Sequence, residues 1–207
     1  MIAIIDYDMG NLRSVQKAFE KIGHAAIVTR DPKTIQDASH VVLPGVGAFP
    51  DAMKNLERFK LIDPIVKGIE EGKPFLGLCL GLQLLFTEGE EFGIHRGLDI
   101  LKGRVVRFQI SNNGTKTKLS IPHIGWNTIQ MKTQSPLFKD VPNGSYFYFV
   151  HSYYVVQEDN RWASTTTEYG LEFTSSIWKD NIFACQFHPE KSQDQGLKLL
   201  RRFAEMG

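Results

Sequence analysis

One cysteine in this chain stands where a nucleophile would. The segment Lys73-Pro74-Phe75-Leu76-Gly77-Leu78-Cys79-Leu80-Gly81-Leu82-Gln83 begins as a short apolar run without helical period, the pattern of a buried strand. Gly77 and Gly81 bracket Cys79, and a helix-like Leu82-Gln83-Leu84-Leu85-Phe86 follows. A sharp strand-to-helix turn of this kind is a nucleophile elbow, here carrying cysteine in place of serine. The glycines omit Cβ atoms that would collide in the turn. A helix N-terminus behind the sulfur favours the thiolate.

Such a nucleophile needs a base, a group that orients the base, and donors for the oxyanion. Ile182-Phe183-Ala184-Cys185-Gln186-Phe187 runs straight into His188-Pro189-Glu190. In extended backbone, residues two apart project to one side, so His188 and Glu190 are expected to face the sulfur together. Pro189 limits the backbone between them. Pro44-Gly45-Val46-Gly47 follows the apolar Val41-Val42-Leu43. Its N–H groups at Val46 and Gly47, with that of Leu80 after the nucleophile, are candidates for an oxyanion hole. The glycines around Val46 let that peptide take several orientations, so the hole is expected to be incomplete until a partner binds.

The elements that must position these groups read as an α/β chain. Ile2–Asp6, Ala25–Thr29 and Val41–Leu43 are strand-like, with Asp31-Pro32 as a break between the second and third. Helical patterns cover Leu12 to Ile22, Ala48–Leu56 and Ile62–Glu70. This alternation implies a largely parallel sheet with helices on both faces. From about residue 103 the pattern changes. Arg104–Ile110 and Lys116–Ile121 flank Asn112-Asn113-Gly114, a hairpin signal. Further strands are expected at Trp126–Met131, Tyr146–Val150, Tyr153–Val156, Ala163–Thr167, Phe173–Trp178 and Ile182–Phe187, mainly antiparallel. A helix from about Ser192 carries Leu197, Leu200 and Phe203 on one face. No repeat or linker divides residues 1–207, so a single domain is expected.

Composition narrows the function classes. With 207 residues, 42% hydrophobic and 23% charged, the chain has the profile of a globular protein. Its net charge of +1 gives no general reason to expect nucleic acid or a membrane as partner. The N-terminus reads as a first strand, not a signal peptide, and two cysteines make no disulfide framework. A cytoplasmic protein is expected.

Three of these segments together resemble the signatures of class I (triad) glutamine amidotransferases: Pro44-Gly45-Val46-Gly47, Gly77-x-Cys79-Leu80-Gly81-x-Gln83 and Gln186-Phe187-His188-Pro189-Glu190. Within that family, Pro122-His123-Ile124-Gly125-Trp126-Asn127, Tyr148-Phe149-Val150-His151-Ser152-Tyr153 and the opening Asp6-Tyr7-Asp8-Met9-Gly10-Asn11 are similar to the glutaminase subunits of imidazole glycerol phosphate synthases. The resemblance implies a flavodoxin-like sheet extended by antiparallel strands. It also implies hydrolysis of L-glutamine and transfer of ammonia to a cyclase/synthase subunit in a heterodimer, without cofactor or metal. By resemblance, Cys79, His188 and Glu190 form the triad, while Gly47, Gln83, Ser152 and Tyr153 hold the substrate's amino-acid end. His123, Trp126 and Lys191 are expected at the partner interface. The chain departs from the family's usual glycine at Asp8 and from methionine at Leu82 and Ile124, and its hairpin near Asn113 is longer. Asp8 and that hairpin raise an alternative acceptor, a nucleotide-linked sugar undergoing amidination. A non-catalytic regulatory subunit is the reading from another class, and the intact triad opposes it.

Several residues have plainer readings. Cys185 lies inside an apolar strand and is expected to be inert core. A metal site from Cys185 and His188 fails, because a three-residue offset on a strand points to opposite faces. His24 and His40 are expected at the surface, and His95 in a polar loop. His151 is expected to orient a loop rather than react. Tyr146-Phe147-Tyr148-Phe149 is core packing with alternating exposure.

Overall fold

The structure is a computed structural model and describes residues 1–109 and 119–207. Strands and helices alternate first: β1 (Ile2–Ile5), α1 (Leu12–Lys21), β2 (Ala26–Thr29), α2 (Pro32–Asp37), β3 (His40–Gly45), α3 (Phe49–Arg58), α4 (Ile62–Glu70), β4 (Phe75–Cys79) and α5 (Leu80–Gln83). Short strands β5 (Phe86–Gly89), β6 (His95–Arg96), β7 (Leu101–Arg107), β8 (His123–Thr128) and β9 (Gln130–Met131) come next. Then follow β10 (Tyr146–His151), β11 (Tyr153–Gln157), β12 (Ala163–Glu168), β13 (Glu172–Lys179), β14 (Ile182–Cys185) and the closing helix α6 (Gln193–Ala204).

Among the described residues, one twelve-stranded sheet runs β2-β1-β3-β4-β14-β13-β11-β7-β5-β6, with β12 and β9 branching from β13. The five strands from β2 to β14 are mutually parallel, and β13 then begins the antiparallel extension. Alternation along the parallel strands splits the core by face. Val41 and Leu43 pack with Phe49, Leu56 and Ile65 from α3 and α4. Val42, on the other side, packs with Phe19 of α1 and Leu200 and Phe203 of α6. A separate ribbon pairs β8 with β10, opposing Trp126 to Tyr148 and His123 to His151.

Several elements differ from expectation. The helix after the elbow is a single turn, and Phe86 already begins β5; the apolar run Leu82–Phe86 is too short for periodicity to separate helix from strand. Asp31-Pro32 opens a helix: the Asp31 side chain accepts from the Thr34 N–H at 2.9 Å, and proline suits the first helical position. The strand expected over Trp126–Met131 starts earlier, at His123, and breaks at the buried Ile129. In α6 the buried face uses Leu199, Leu200 and Phe203, with Leu197 only partly covered. His40 is buried, not at the surface, because Phe203 closes over it with ring centroids 5.3 Å apart. Ser39 Oγ lies 2.9 Å from His40 Nδ1, and burial holds this imidazole below its usual pKa. The turn Asn112-Asn113-Gly114 lies outside the described residues, and Ser120 and Ile121 are not strand.

Asp8 has a local explanation. Its φ is +63°, in the left-handed region where glycine is the default and aspartate among the better substitutes. Arg30 clamps it, donating to Asp8 Oδ1 at 2.6 Å and to Asp6 Oδ2 at 2.7 Å.

Candidate active site

The carboxyl ends of β3, β4 and β14 meet at one place, where ligands bind in open α/β sheets. The register sets Gly45 beside Cys79 and Leu78 beside Cys185. Cys79 therefore ends its strand next to the end of β3, which runs on through Pro44 and Gly45 before Val46 and Gly47, and near the segment leaving β14.

Cys79 adopts φ 53° and ψ −105°, a conformation that side-chain-bearing residues avoid. Its neighbours permit it. A Cβ on Gly77 would sit 2.8 Å from the Gly81 carbonyl oxygen, and one on Gly81 would run into the Leu43 carbonyl. The elbow is thus a backbone device in which both glycines let chain approach chain. With one helical turn behind it, the sulfur finds its charge partner in a side chain rather than a long helix dipole.

That partner is His188. Its Nδ1 lies 2.9 Å from Glu190 Oε1, and both side chains are almost wholly buried. The ring donates to the carboxylate through Nδ1, which leaves Nε2 for proton exchange. The backbone route differs from the extended one expected. The strand ends at Cys185, and a 3₁₀ turn over Pro189–Lys191 folds Glu190 back onto the ring. Two anchors hold this turn. The His188 N–H donates to the Tyr148 carbonyl at 2.9 Å, and Ser192 Oγ–H donates to the His188 carbonyl at 2.6 Å. Burial disfavours charge on the imidazole, but Cys79 and then Glu190 outweigh it and raise the His188 pKa from 6.5 to about 10. His188 accordingly stores a proton at neutral pH.

A cavity of about 280 Å³ opens over Cys79. It is lined by Val46, Gly47, Leu80, Gln83, Ser152, Tyr153, His188 and Lys191, among others. Glu190 stands behind His188. Tyr7, fully buried, donates its hydroxyl to the Pro44 carbonyl at 2.8 Å and so ties the end of β3 to the segment that follows β1. Burial, with the charge of Cys79 adding to it, raises the Tyr7 pKa and keeps it a donor. Gln83 commits Nε2 inside the protein, to the Tyr153 carbonyl and to Gln186 Oε1, both at 3.1 Å. Its Oε1 is then the end left for a ligand.

Two residues of this arrangement are not singled out by sequence. Glu91 places a carboxylate in the cavity wall, with Oε2 accepting from the Phe49 N–H at 2.8 Å. It comes from an acidic stretch, Glu88 to Glu91, in which nothing local marks one residue. Gln186 sets Nε2 at 3.5 Å from the Cys79 sulfur. Among the described residues no three His, Cys, Asp or Glu side chains cluster to hold a metal, and no helix is long and apolar enough to cross a membrane.

The two expected interface residues on the ribbon part company. Trp126 is 46% exposed, beside Ile124 at 59% and Tyr146 at 60%. Its ring meets Tyr148 edge-on at 6.0 Å, and Lys191 Nζ lies 5.9 Å from that same tyrosine. His123 points the other way and is 2% exposed, stacked between Phe149 and Tyr169. It cannot be a surface contact, because strand alternation sends odd and even positions of β8 to opposite faces.

Comparison with known proteins bears on the family and the fold. The family model for glutamine amidotransferase class-I matches residues 3–206. The chain is 53% identical to the "Imidazole glycerol phosphate synthase subunit HisH" of Syntrophotalea carbinolica, over the full length of both. It is also 53% identical to the protein of the same name from Aquifex aeolicus, over 97% of this chain and 94% of that one. Among solved structures, PurLQS from Thermotoga maritima superimposes with a TM-score of 0.74 at 18% identity, covering 98% of this chain and 96% of that one. The glutaminase domain of Trypanosoma brucei CTPS, with bound acivicin, gives 0.67 at 15% identity, covering 100% and 94%. These last two speak for the fold alone. The chain belongs to the class-I glutamine amidotransferase family.

Proposed function

We propose that the chain is the glutaminase subunit of an imidazole glycerol phosphate synthase, working as one domain on L-glutamine and passing ammonia to a cyclase/synthase subunit in a heterodimer. The observation that carries the reading is the meeting of three separate loops around Cys79, in a chain about half identical to such subunits along its whole length.

Cys79 attacks the side-chain carboxamide carbon, and the oxyanion takes N–H groups of Val46 or Gly47 and Leu80. His188, held by Glu190, gives its stored proton to the departing ammonia. Water then attacks the γ-glutamyl thioester with His188 as base, releasing glutamate and restoring the thiolate. Glu91 and Gln83 Oε1 accept from the substrate's α-ammonium, and Gly47 with Ser152 and Tyr153 borders its carboxylate end. No cofactor is needed for these steps. The exposed ribbon face at Trp126, with Lys191 at the cavity mouth, docks the synthase subunit. The alternative acceptor loses its motive at Asp8, whose conformation has the local cause given above.

Glutamine hydrolysis by the isolated chain, with and without a cyclase/synthase subunit and its nucleotide substrate, tests this. Slow turnover alone and an increase of about 10² or more in the complex are expected, because one missing oxyanion donor costs about that factor. Full activity of the isolated chain, indifferent to the partner, would refute the gating and the pairing.

A further inference from the structure

A second set of hydrogen-bonded groups leads through Gln83 and Gln186 to the sulfur. Asn127 Nδ2 lies 3.2 Å from His123 Nε2, His123 Nδ1 lies 3.0 Å from His151 Nε2, and His151 Nδ1 lies 2.8 Å from the Tyr153 carbonyl. A carbonyl only accepts, so His151 carries its proton on Nδ1. Both imidazoles are buried, which favours their neutral forms. His151 Nε2 is then an acceptor, His123 donates through Nδ1, and His123 Nε2 accepts from Asn127. The proton order is fixed along the whole chain.

The Tyr153 carbonyl that ends this chain also accepts from Gln83 Nε2, which donates to Gln186 Oε1. That contact fixes the flip of the Gln186 carboxamide, because its oxygen must face Gln83. Its N–H must then face Cys79, where Nε2 stands 3.5 Å from Sγ in a wholly buried position. We infer that Gln186 is a catalytic donor to the Cys79 thiolate, and that His123 and His151 are positioning residues which hold it there through Tyr153 and Gln83. This rests on the reading of Cys79 as the nucleophile. A donated N–H on an anion is worth more than on a neutral group, so Gln186 lowers the cost of charge on the sulfur without titrating itself. It also persists while His188 gives up its proton, when the triad alone no longer offers a positive charge.

The titratable groups around the sulfur are His188, Glu190 and Lys191 on one loop, Cys185 on the adjoining strand, Tyr7 just past the end of β1, and Glu91, His151 and Tyr153 in the cavity wall. Gln186 does not titrate, so its removal should move the Cys79 profile by taking a donor from the thiolate and not by deleting a charge. The test is the pH dependence of Cys79 alkylation by iodoacetamide, with folding checked by circular dichroism. Gln186→Met should move the midpoint to higher pH and slow alkylation at neutral pH by about tenfold. His123→Phe keeps the stacking and cuts the chain, and should shift the midpoint the same way by less. In the Gln186→Met background, His123→Phe should add nothing. An unchanged profile in Gln186→Met, or fully additive shifts, would overturn the inference. Should Gln186→Met fail to fold, the side-chain N–H resonances of Gln186 in the wild-type chain decide: they must follow the Cys79 titration, and indifference to it is the contrary result. Absence of glutaminase activity in the wild-type chain would instead sink the nucleophile reading, and with it the catalytic role of Gln186 whatever the shifts show.

Discussion

Two cysteines sit on neighbouring parallel strands, and their surroundings could hardly differ more. Cys185 continues the regular backbone of β14, wholly within the sheet, and its thiol is 3.4 Å from the Phe187 carbonyl. Burial is the main reason its pKa lies well above the usual value, with Glu190 and Cys79 adding to it. Cys79 ends the next strand with φ +53°, its sulfur turned into a cavity beside His188 and Gln186. Residue type and depth are similar in the two cases. What separates them is the backbone turn and the two glycines that allow it, which carry one sulfur out of the sheet and leave the other in it.

The comparison can be broken most forcefully by deleting each sulfur in turn. Cys79→Ala should cut glutamine hydrolysis at least about ten-thousandfold, as loss of a nucleophile does, while leaving the fold and partner binding intact. Cys185→Ala should keep turnover within about twofold and cost about 1 kcal/mol of stability, for a small void in the core. Steady-state rates and denaturant midpoints measure both. Comparable rate losses in the two variants would erase the distinction.

A smaller effect sharpens it through pH. His188 binds its proton more tightly folded than unfolded, with a pKa raised from 6.5 to about 10. It therefore contributes stability that is complete below pH 6.5 and lost as pH rises through about 10. Burial lowers His123 and His151 from 6.5 to about 4 and about 3, with weaker effects from neighbours on His151. The unfolded chain takes up protons that these two refuse, so stability is lost as pH falls below 6.5 toward that range. Cys79→Ala should flatten the alkaline limb and leave the acid limb alone. His123→Phe should do the reverse, by on the order of 1–2 kcal/mol in each case. Denaturant titrations across pH give the slopes, and a variant that flattens both limbs equally would contradict the separation.

The same contrast explains how much could be read from sequence. The elbow was legible because Gly77 and Gly81 mark a tight turn locally; Pro44–Gly47 and His188-Pro189-Glu190 were legible by their place at strand ends, not by their backbone shape. The parallel sheet followed from alternating local patterns, as did most antiparallel strands. The one-turn α5 was not legible, because Leu82–Phe86 satisfies helix and strand templates alike. Nor was the inward turn of His123, since strand register, not residue type, decides which face of β8 it occupies. Glu91 and the Gln83–Gln186 contact depend on residues far apart in the chain, the latter pair by 103 positions. No local pattern records such a meeting. The 3₁₀ turn that brings Glu190 to His188 reached the expected contact by a different backbone path.

Iodoacetamide labelling of the wild-type chain at neutral pH, read by peptide mass spectrometry, tests the central contrast most directly. The predicted result is alkylation at Cys79 with Cys185 untouched, and protection of Cys79 by L-glutamine. Labelling of Cys185 at a comparable rate, or indifference of Cys79 to the substrate, would contradict the account.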